Sequence, residues 1–303
     1  MKKPLIIKCL VFLIFLIQTC KEKTELKPSM ISVPQFEFIS KTTINDSTSN
    51  INMSLDAFYI SNEITNKEYR EFTDWVRDNP DEIFFLPKEI IVKKNPEPGK
   101  TKVWSFPQLF SVPDILPNLI DSDAMYKIDH RFKNYFTDEK YDNYPVVGVS
   151  RNAAEFYCEW LILLERKVIV LRKGQTAPNG MRVKEKGIIT ISPSYGYYRI
   201  PFEMEWNYIE KQPYKRAPAN DHKIHKVNAG NPNRWGIFHL HDNVSEWVTI
   251  PDDTLAVYRG DNWLTKEKFP SLLRMHPDSS KGYIGFRIAR TFKPEEINNK
   301  KTK

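Results

Sequence analysis

Apolar and polar residues alternate through "ISVPQFEFIS" and again through "LDAFYISNEIT", the period of half-buried strands. The period then changes. "TNKEYREFTDWVRDNP" opens on Thr65 with Glu68 three residues on, a capping box, and carries Tyr69, Phe72 and Val76 down one helical face until Pro80 ends it. From Pro80 to Tyr144 the chain is rich in Pro and aromatics and has little periodicity. It reads as a long ordered insertion packed by its own Phe, Trp and Tyr side chains, or as a mobile lid. "YPVVGVSRNAAEFYCEWLILLE" follows as a short strand and a second helix, capped by Ser150 and carrying Ala154, Tyr157, Cys158 and Leu161 at helical spacing. Helices and short strands in mixed order, with much loop between them, define an α+β chain.

The amino terminus has a different pattern. Lys2, Lys3 and Lys8 precede an uncharged run from Cys9 to Cys20, which is shorter than the roughly 20 residues a membrane-spanning helix needs. That is the pattern of a secretory signal. "LIQTC" turns at once into "KEKTELKP", so Cys20 stands where a bacterial lipoprotein signal is cut and acylated; the alternative is an ordinary cleaved signal in which Cys20 is incidental. The expected organisation is a signal over 1–19, a tether over 20–31, one domain over 32–291 with an insertion at 81–143, and a disordered tail over 292–303. Acyl chains on Cys20 would hold the protein on a membrane surface, each buried methylene contributing ~0.8 kcal/mol.

Charge and cysteine count exclude several classes. The formal +7 falls to about +2 once the three signal lysines and the tail, with four Lys against Glu295 and Glu296, are set aside. Nucleic acid is therefore not an expected partner. Beyond Cys20 the mature chain has only Cys158, so neither a disulfide framework nor a thiolate metal cluster is available.

Five segments in order resemble the formylglycine-generating-enzyme, or sulfatase-modifying-factor, family. They are "FYISNEITNKEYREF", "YPVVGVSRNAAEFYCEWL", "YRIPFEMEWNYI", "NPNRWGIFHLHDNVSEWV", and "YRGDNW" with "GYIGFRIAR". The resemblance implies a C-type-lectin-like α+β fold with much irregular structure. Within these motifs Arg199, Glu203, Glu205, Arg259 and Arg287 can supply bidentate carboxylate–guanidinium pairs, and Trp206, Trp247 and Trp263 can fill cores between loops. These residues, with Asn243, are read as scaffold. A narrower likeness, "VWSFPQLF" and "NYFTDEKYDNYPVVGVS", is to lipoproteins of this fold from gliding, type IX-secreting Bacteroidetes.

Two departures from the family bear on activity. Its oxidases bind copper through two cysteines shortly after "RGGS", and "RGDNWLTKEKFPSLLRMHPDSS" holds none; Cys158 lies on a helix where the family often has a buried Cys. The family's active-site tryptophan in "NVWEW" is Ser245 here. Cysteine-to-formylglycine oxidation and bound copper are accordingly not expected. The resemblance also places a calcium site at His239, Asp242, Val244 and Glu246. Imidazole is a poor calcium ligand, so Asp242, Val244 and Glu246 remain as its candidates, against a reading of Glu246 as a brace. His222, His225, His239 and His241 raise zinc or iron, but their spacing matches no ligand pattern; on a strand His239 and His241 would point to opposite faces.

The function expected is that of a lipid-anchored, non-catalytic scaffold or interaction protein of the cell envelope, on the outer membrane, with envelope proteins as partners and gliding motility or type IX secretion as its setting. Two alternatives stand beside it. One is a metal-dependent oxidase of the family acting in sulfatase modification, the other a glycan- or peptide-binding surface lipoprotein.

Overall fold

A computed structural model describes residues 28–44, 47–88, 106–165, 167–171, 187–191, 198–214, 221–251, 253–265 and 272–291. The signal at 1–19, Cys20 and the tail at 292–303 lie outside the described residues. The first strands are Met30–Val33 (β1), Phe36–Ile44 (β2), Ser47–Leu55 (β3) and Phe58–Ser61 (β4). β1 pairs with β4 and β2 with β3, both antiparallel, so the alternating segments fold back as one long ribbon.

Helix α1, Asn66–Asp78, begins at the capping box: Thr65 accepts from the Glu68 N–H while the Glu68 carboxylate accepts from the Thr65 N–H. Such a cap is worth about 1 kcal/mol. Tyr69, Phe72 and Val76 are fully buried on the predicted face. Ile83–Lys88 (β5) and Phe106–Ser111 (β6) form a hairpin, and Val112–Ile115 (α2) is a single turn. Helix α3, Arg151–Glu165, is capped by Ser150, whose Oγ accepts from the Ala153 N–H (3.2 Å). It buries Ala153, Ala154, Phe156, Tyr157, Cys158, Trp160, Leu161 and Ile162, most of its circumference, and so runs through the centre.

The remaining elements are Lys167–Leu171 (β7), Gly187–Ile191 (β8), Tyr198–Arg199 (β9), Glu203–Glu210 (α4), Ser245–Val248 (β10), Ala256–Arg259 (β11), Leu273–Met275 (β12), Ile284–Gly285 (β13) and Ala289–Thr291 (β14). β7 pairs with β8 alone, while β9 to β14 join β1 and β4 in two four-stranded sheets, ordered β1-β4-β14-β9 and β12-β11-β10-β13. Few helices, small sheets and much irregular backbone make this an α+β fold. Among the described residues no helix is long and apolar enough to cross a membrane.

One expected strand is absent. Tyr144–Val149 forms only a bridge, Thr65 to Pro145, because Gly148 turns the backbone left-handed at φ +78°. Its carbonyl accepts from the Asp121 N–H (2.8 Å) and its N–H donates to the Lys281 carbonyl (3.1 Å), which leaves no ladder to extend. A Cβ there would collide with the Asp121 carbonyl, so only glycine fits.

The described part of the 81–143 insertion packs onto the body. Phe84 faces Phe72 and Phe156, and Asn66 of α1 donates to the carbonyls of Tyr135 (3.4 Å) and Tyr141 (3.1 Å). Further along, Met125 and Tyr135 join Val147, Val244 and Trp263 in a core of their own, with Phe132 edge-on to Trp263 at 5.5 Å.

Candidate functional site

The stretch "GIFHLHDNVSEWV" runs as a bent loop into β10. Loop, not strand, carries His239 and His241: His239 and Asn243 both adopt left-handed backbone, φ +54° and +65°. Asn tolerates that region through local hydrogen bonds, whereas His there is strained. His239 turns inward, its Nδ1 3.0 Å from Asp242 Oδ1 and its Nε2 3.1 Å from the Lys226 carbonyl. His241 instead meets Glu210 at the half-exposed surface (3.3 Å). His225 pairs with Asp221 (2.8 Å), and His222 is exposed. His225 and His239 stack with ring centroids 6.1 Å apart, but among the described residues no three His, Cys, Asp or Glu side chains gather as a metal site.

Glu246 sits at the centre and is fully buried. Trp206 Nε1–H donates to its Oε2 (2.6 Å), Arg287 Nε–H donates to the same oxygen (2.6 Å), and Arg287 Nη2 donates to Oε1. Arg287, also fully buried, completes its fork on the carbonyls of Ser61 (3.2 Å) and Phe238 (3.1 Å). Burial opposes the guanidinium charge, but the Glu246 carboxylate more than offsets it and raises Arg287 above its ordinary range. This pair joins β10, the loop before β14, the end of β4 and the candidate loop in one clasp.

A second buried carboxyl adjoins it. Glu63 Oε2 accepts from Asn243 Nδ2 (2.7 Å), while Asn243 Oδ1 accepts from the His225 N–H (2.8 Å). Glu63 Oε1 has no hydrogen-bond partner. Desolvation first, and then the charge of Glu246, push the Glu63 carboxyl well above the usual carboxylate range; Arg287 works the other way.

The other scaffold residues form clasps as well. Arg199 grips Glu205 bidentately, both contacts at 2.7 Å, and Glu205 also accepts from the Phe202 N–H. Arg259 pairs with Glu203 (3.1 Å) and reaches Asn207. Trp247 Nε1–H donates to the Val149 carbonyl (2.9 Å), joining β10 to the start of α3.

The calcium set does not fit its ion. Both Glu246 oxygens are occupied by Trp206 and Arg287, and one Asp242 oxygen faces His239, which leaves the backbone carbonyl of Val244, the ligand the resemblance implies there, without the carboxylates it would need beside it. Calcium requires six to eight oxygens. Added calcium is therefore expected to leave the melting temperature of the purified protein unchanged. A site filled at 100 times its dissociation constant would instead add ~2.7 kcal/mol, and a rise in melting temperature abolished by Glu246→Gln would refute the clasp assignment.

The cysteine pair through which the family's oxidases bind copper is also absent from the sequence. Cys158 is the last cysteine in the chain, and burial pushes its thiol up, away from the thiolate a metal binds. Ser245 Oγ donates to the Gly260 carbonyl (2.7 Å) and accepts from Asn262 Nδ2 (2.9 Å), so the start of the loop that carries the oxidases' cysteines is tied to β10. Trp263 then packs beneath Phe132 of the insertion.

Small sheets around a buried helix, clasped by carboxylate–guanidinium pairs, are the architecture of the sulfatase-modifying-factor class. The chain belongs to that family: the model of the sulfatase-modifying factor enzyme 1-like domain matches residues 17–211. The solved structures it resembles include CarF (14% identity, TM-score 0.48, 88% of this chain and 99% of that one) and Treponema denticola variable protein 1 (16%, 0.48, 88% and 96%). PvdO from Pseudomonas aeruginosa is a third (16%, 0.40, 90% and 96%). No curated protein matches the chain in sequence.

Sequence reasoning missed Glu63. The available signal was a carboxylate between Ile60 and Ile64, both fully buried, in a segment whose alternation otherwise marks the core side.

Proposed function

We propose that the chain is a lipid-anchored, non-catalytic interaction protein of the cell envelope, a scaffolding part of an outer-membrane machine of the gliding or type IX secretion kind. The observation that carries the non-catalytic reading is the state of the oxidase position. Ser245 stands where the family's active-site tryptophan would be and is hydrogen-bonded to Gly260 and Asn262, Trp263 lies edge-on to Phe132, and no cysteine follows Cys158. The anchoring reading rests on Cys20 at the end of the signal-like run, and the choice of machine on the likeness of "NYFTDEKYDNYPVVGVS" to lipoproteins of such systems.

The anchor has a direct test. The native chain is expected to stay in the membrane fraction through high-salt washing, because acyl attachment is hydrophobic and salt screens only charge. Cys20→Ser should be released or left unprocessed. Equal solubility of both would defeat the anchoring reading, and oxidation of a sulfatase-motif peptide by purified protein would defeat the non-catalytic one. Detergent-solubilised envelopes should carry the native chain in a large complex.

A further inference from the structure

The insertion turn at 121–128 and the loop at 280–283 line a shared cleft of about 380 Å³. Both walls are fixed by backbone contacts. The Asp121 N–H donates to the Gly148 carbonyl (2.8 Å), and the Gly148 N–H donates to the Lys281 carbonyl (3.1 Å). Trp263 Nε1–H holds the Gly282 carbonyl (3.3 Å). Gly282 lies so near the Ala124 carbonyl that a Cβ there would collide with it, and the two walls touch at this point.

The loop carries positive charge and unused donors. The Ile284 N–H closes a turn on the Lys281 carbonyl (3.1 Å), with Gly282 and Tyr283 at its centre. The backbone N–H groups of Ser280, Lys281, Gly282 and Tyr283 meet no acceptor among the described residues, and neither does the Lys281 ammonium. Successive N–H groups in a turn form a concavity suited to anions. Across the cleft, Lys127 is already held by both oxygens of Asp121 (2.7 and 2.9 Å). Ile128, 39% exposed, supplies an apolar wall, and its δ-methyl lies beside Gly282.

Charge and size select the ligand. Lys127 and Lys281 against Asp121 leave a single positive charge in the cleft, which one carboxylate neutralises. A dianion such as phosphate would set surplus negative charge beside Asp121, where like charges repel. The volume falls at the small end of ligand pockets, roughly 300–1,000 Å³, so the ligand is short. Ile128 favours an apolar group next to the carboxylate. We propose that this cleft captures the C-terminal carboxylate of a polypeptide that ends in an apolar residue, with the turn N–H groups and Lys281 on the carboxylate and Ile128 on the side chain. This adds a ligand class to the interaction reading above, and rests on it only for the partner that supplies the terminus.

The test titrates the purified native chain with N-acetyl-Leu-Leu as the free acid, with its carboxamide, with acetate and with inorganic phosphate, following amide shifts by NMR. The free acid is expected to move the amides of 280–283 and to saturate. The carboxamide should bind about tenfold more weakly or worse, the consequence of losing a charge-assisted hydrogen bond, and added salt should weaken the free acid. Lys281→Met and Ile128→Asp, both at exposed side chains, should melt with the native protein and each lose about tenfold in affinity. The carboxamide comparison needs no variant, so it decides even where a substitution disturbs the loop. Acid and carboxamide binding alike, or shifts confined to residues outside the cleft, would overturn the inference. Acetate as tight as the dipeptide would overturn it too, since the ligand would be a free small acid, and so would phosphate tighter than either. If the free acid does not bind while the native chain runs in the large envelope complex, the site fails and the interaction reading stands; if it binds a chain that runs in no complex, the site stands and that reading fails.

Discussion

Arg287→Met is expected to destabilise the fold by about 3–5 kcal/mol, the usual consequence of removing one partner from a buried ion pair. In a domain of this size that lowers the melting temperature by on the order of 10 °C. The loss comes less from the attraction forgone than from what remains. Glu246 would be left fully buried with Trp206 as its surviving side-chain donor, and Ser61 and Phe238 would lose the donor to their carbonyls. Arg287→Met combined with Glu246→Met removes both charges, and should recover much of the loss because apolar replacement of a buried pair is often neutral or better. Chemical denaturation of the two single variants and the double gives the coupling. Strict additivity of the single losses would mean that the two groups do not form the clasp described.

Glu63 gives the second large effect, in the dependence of stability on pH. Its carboxyl is raised by burial and by Glu246 in the folded state, so the folded chain keeps a proton that the unfolded chain has already released. The contribution is greatest at or below the ordinary carboxylate range and is lost as pH rises through the raised value, by up to ~1.4 kcal/mol per pH unit for one proton. Glu63→Gln keeps the shape and the acceptor for Asn243 while removing the titration. Urea unfolding at a series of pH values should show a shallower fall for the variant, and greater stability than the native chain at the alkaline end. An unchanged slope would place the proton elsewhere.

What was legible in the sequence was local. The Thr65 box, the Ser150 cap and the Arg199–Glu205 pair lie three to six residues apart, within reach of spacing rules. The Arg287–Glu246 and Asn243–Glu63 contacts join residues 41 and 180 positions apart, and no local pattern assigns such partners. Two apolar alternations also misled. "FHLH" has the strand period but bends at left-handed His239, and "VVGV" has strand composition but is pinned by Gly148 between Asp121 and Lys281. The family motifs supplied part of what periodicity lacked, since they marked Arg287 as scaffold, while leaving Glu246 between a calcium ligand and a brace. The β7–β8 ribbon had no such marker, because its apolar residues follow no face-selective period.

β14 is the last of the described strands, yet it lies inside its sheet, with β4 on one side and β9 on the other. Arg287, which closes the central clasp, precedes it by only two residues. The order of synthesis therefore runs against the order of closure. A nascent chain stopped anywhere before Arg287 lacks the cation for Glu246 and leaves β4 and β9 without the strand between them. The central clasp and the middle of the first sheet therefore close only once the residues through Thr291 are made, so the earlier segments cannot reach their final pairing one after another as they are synthesised.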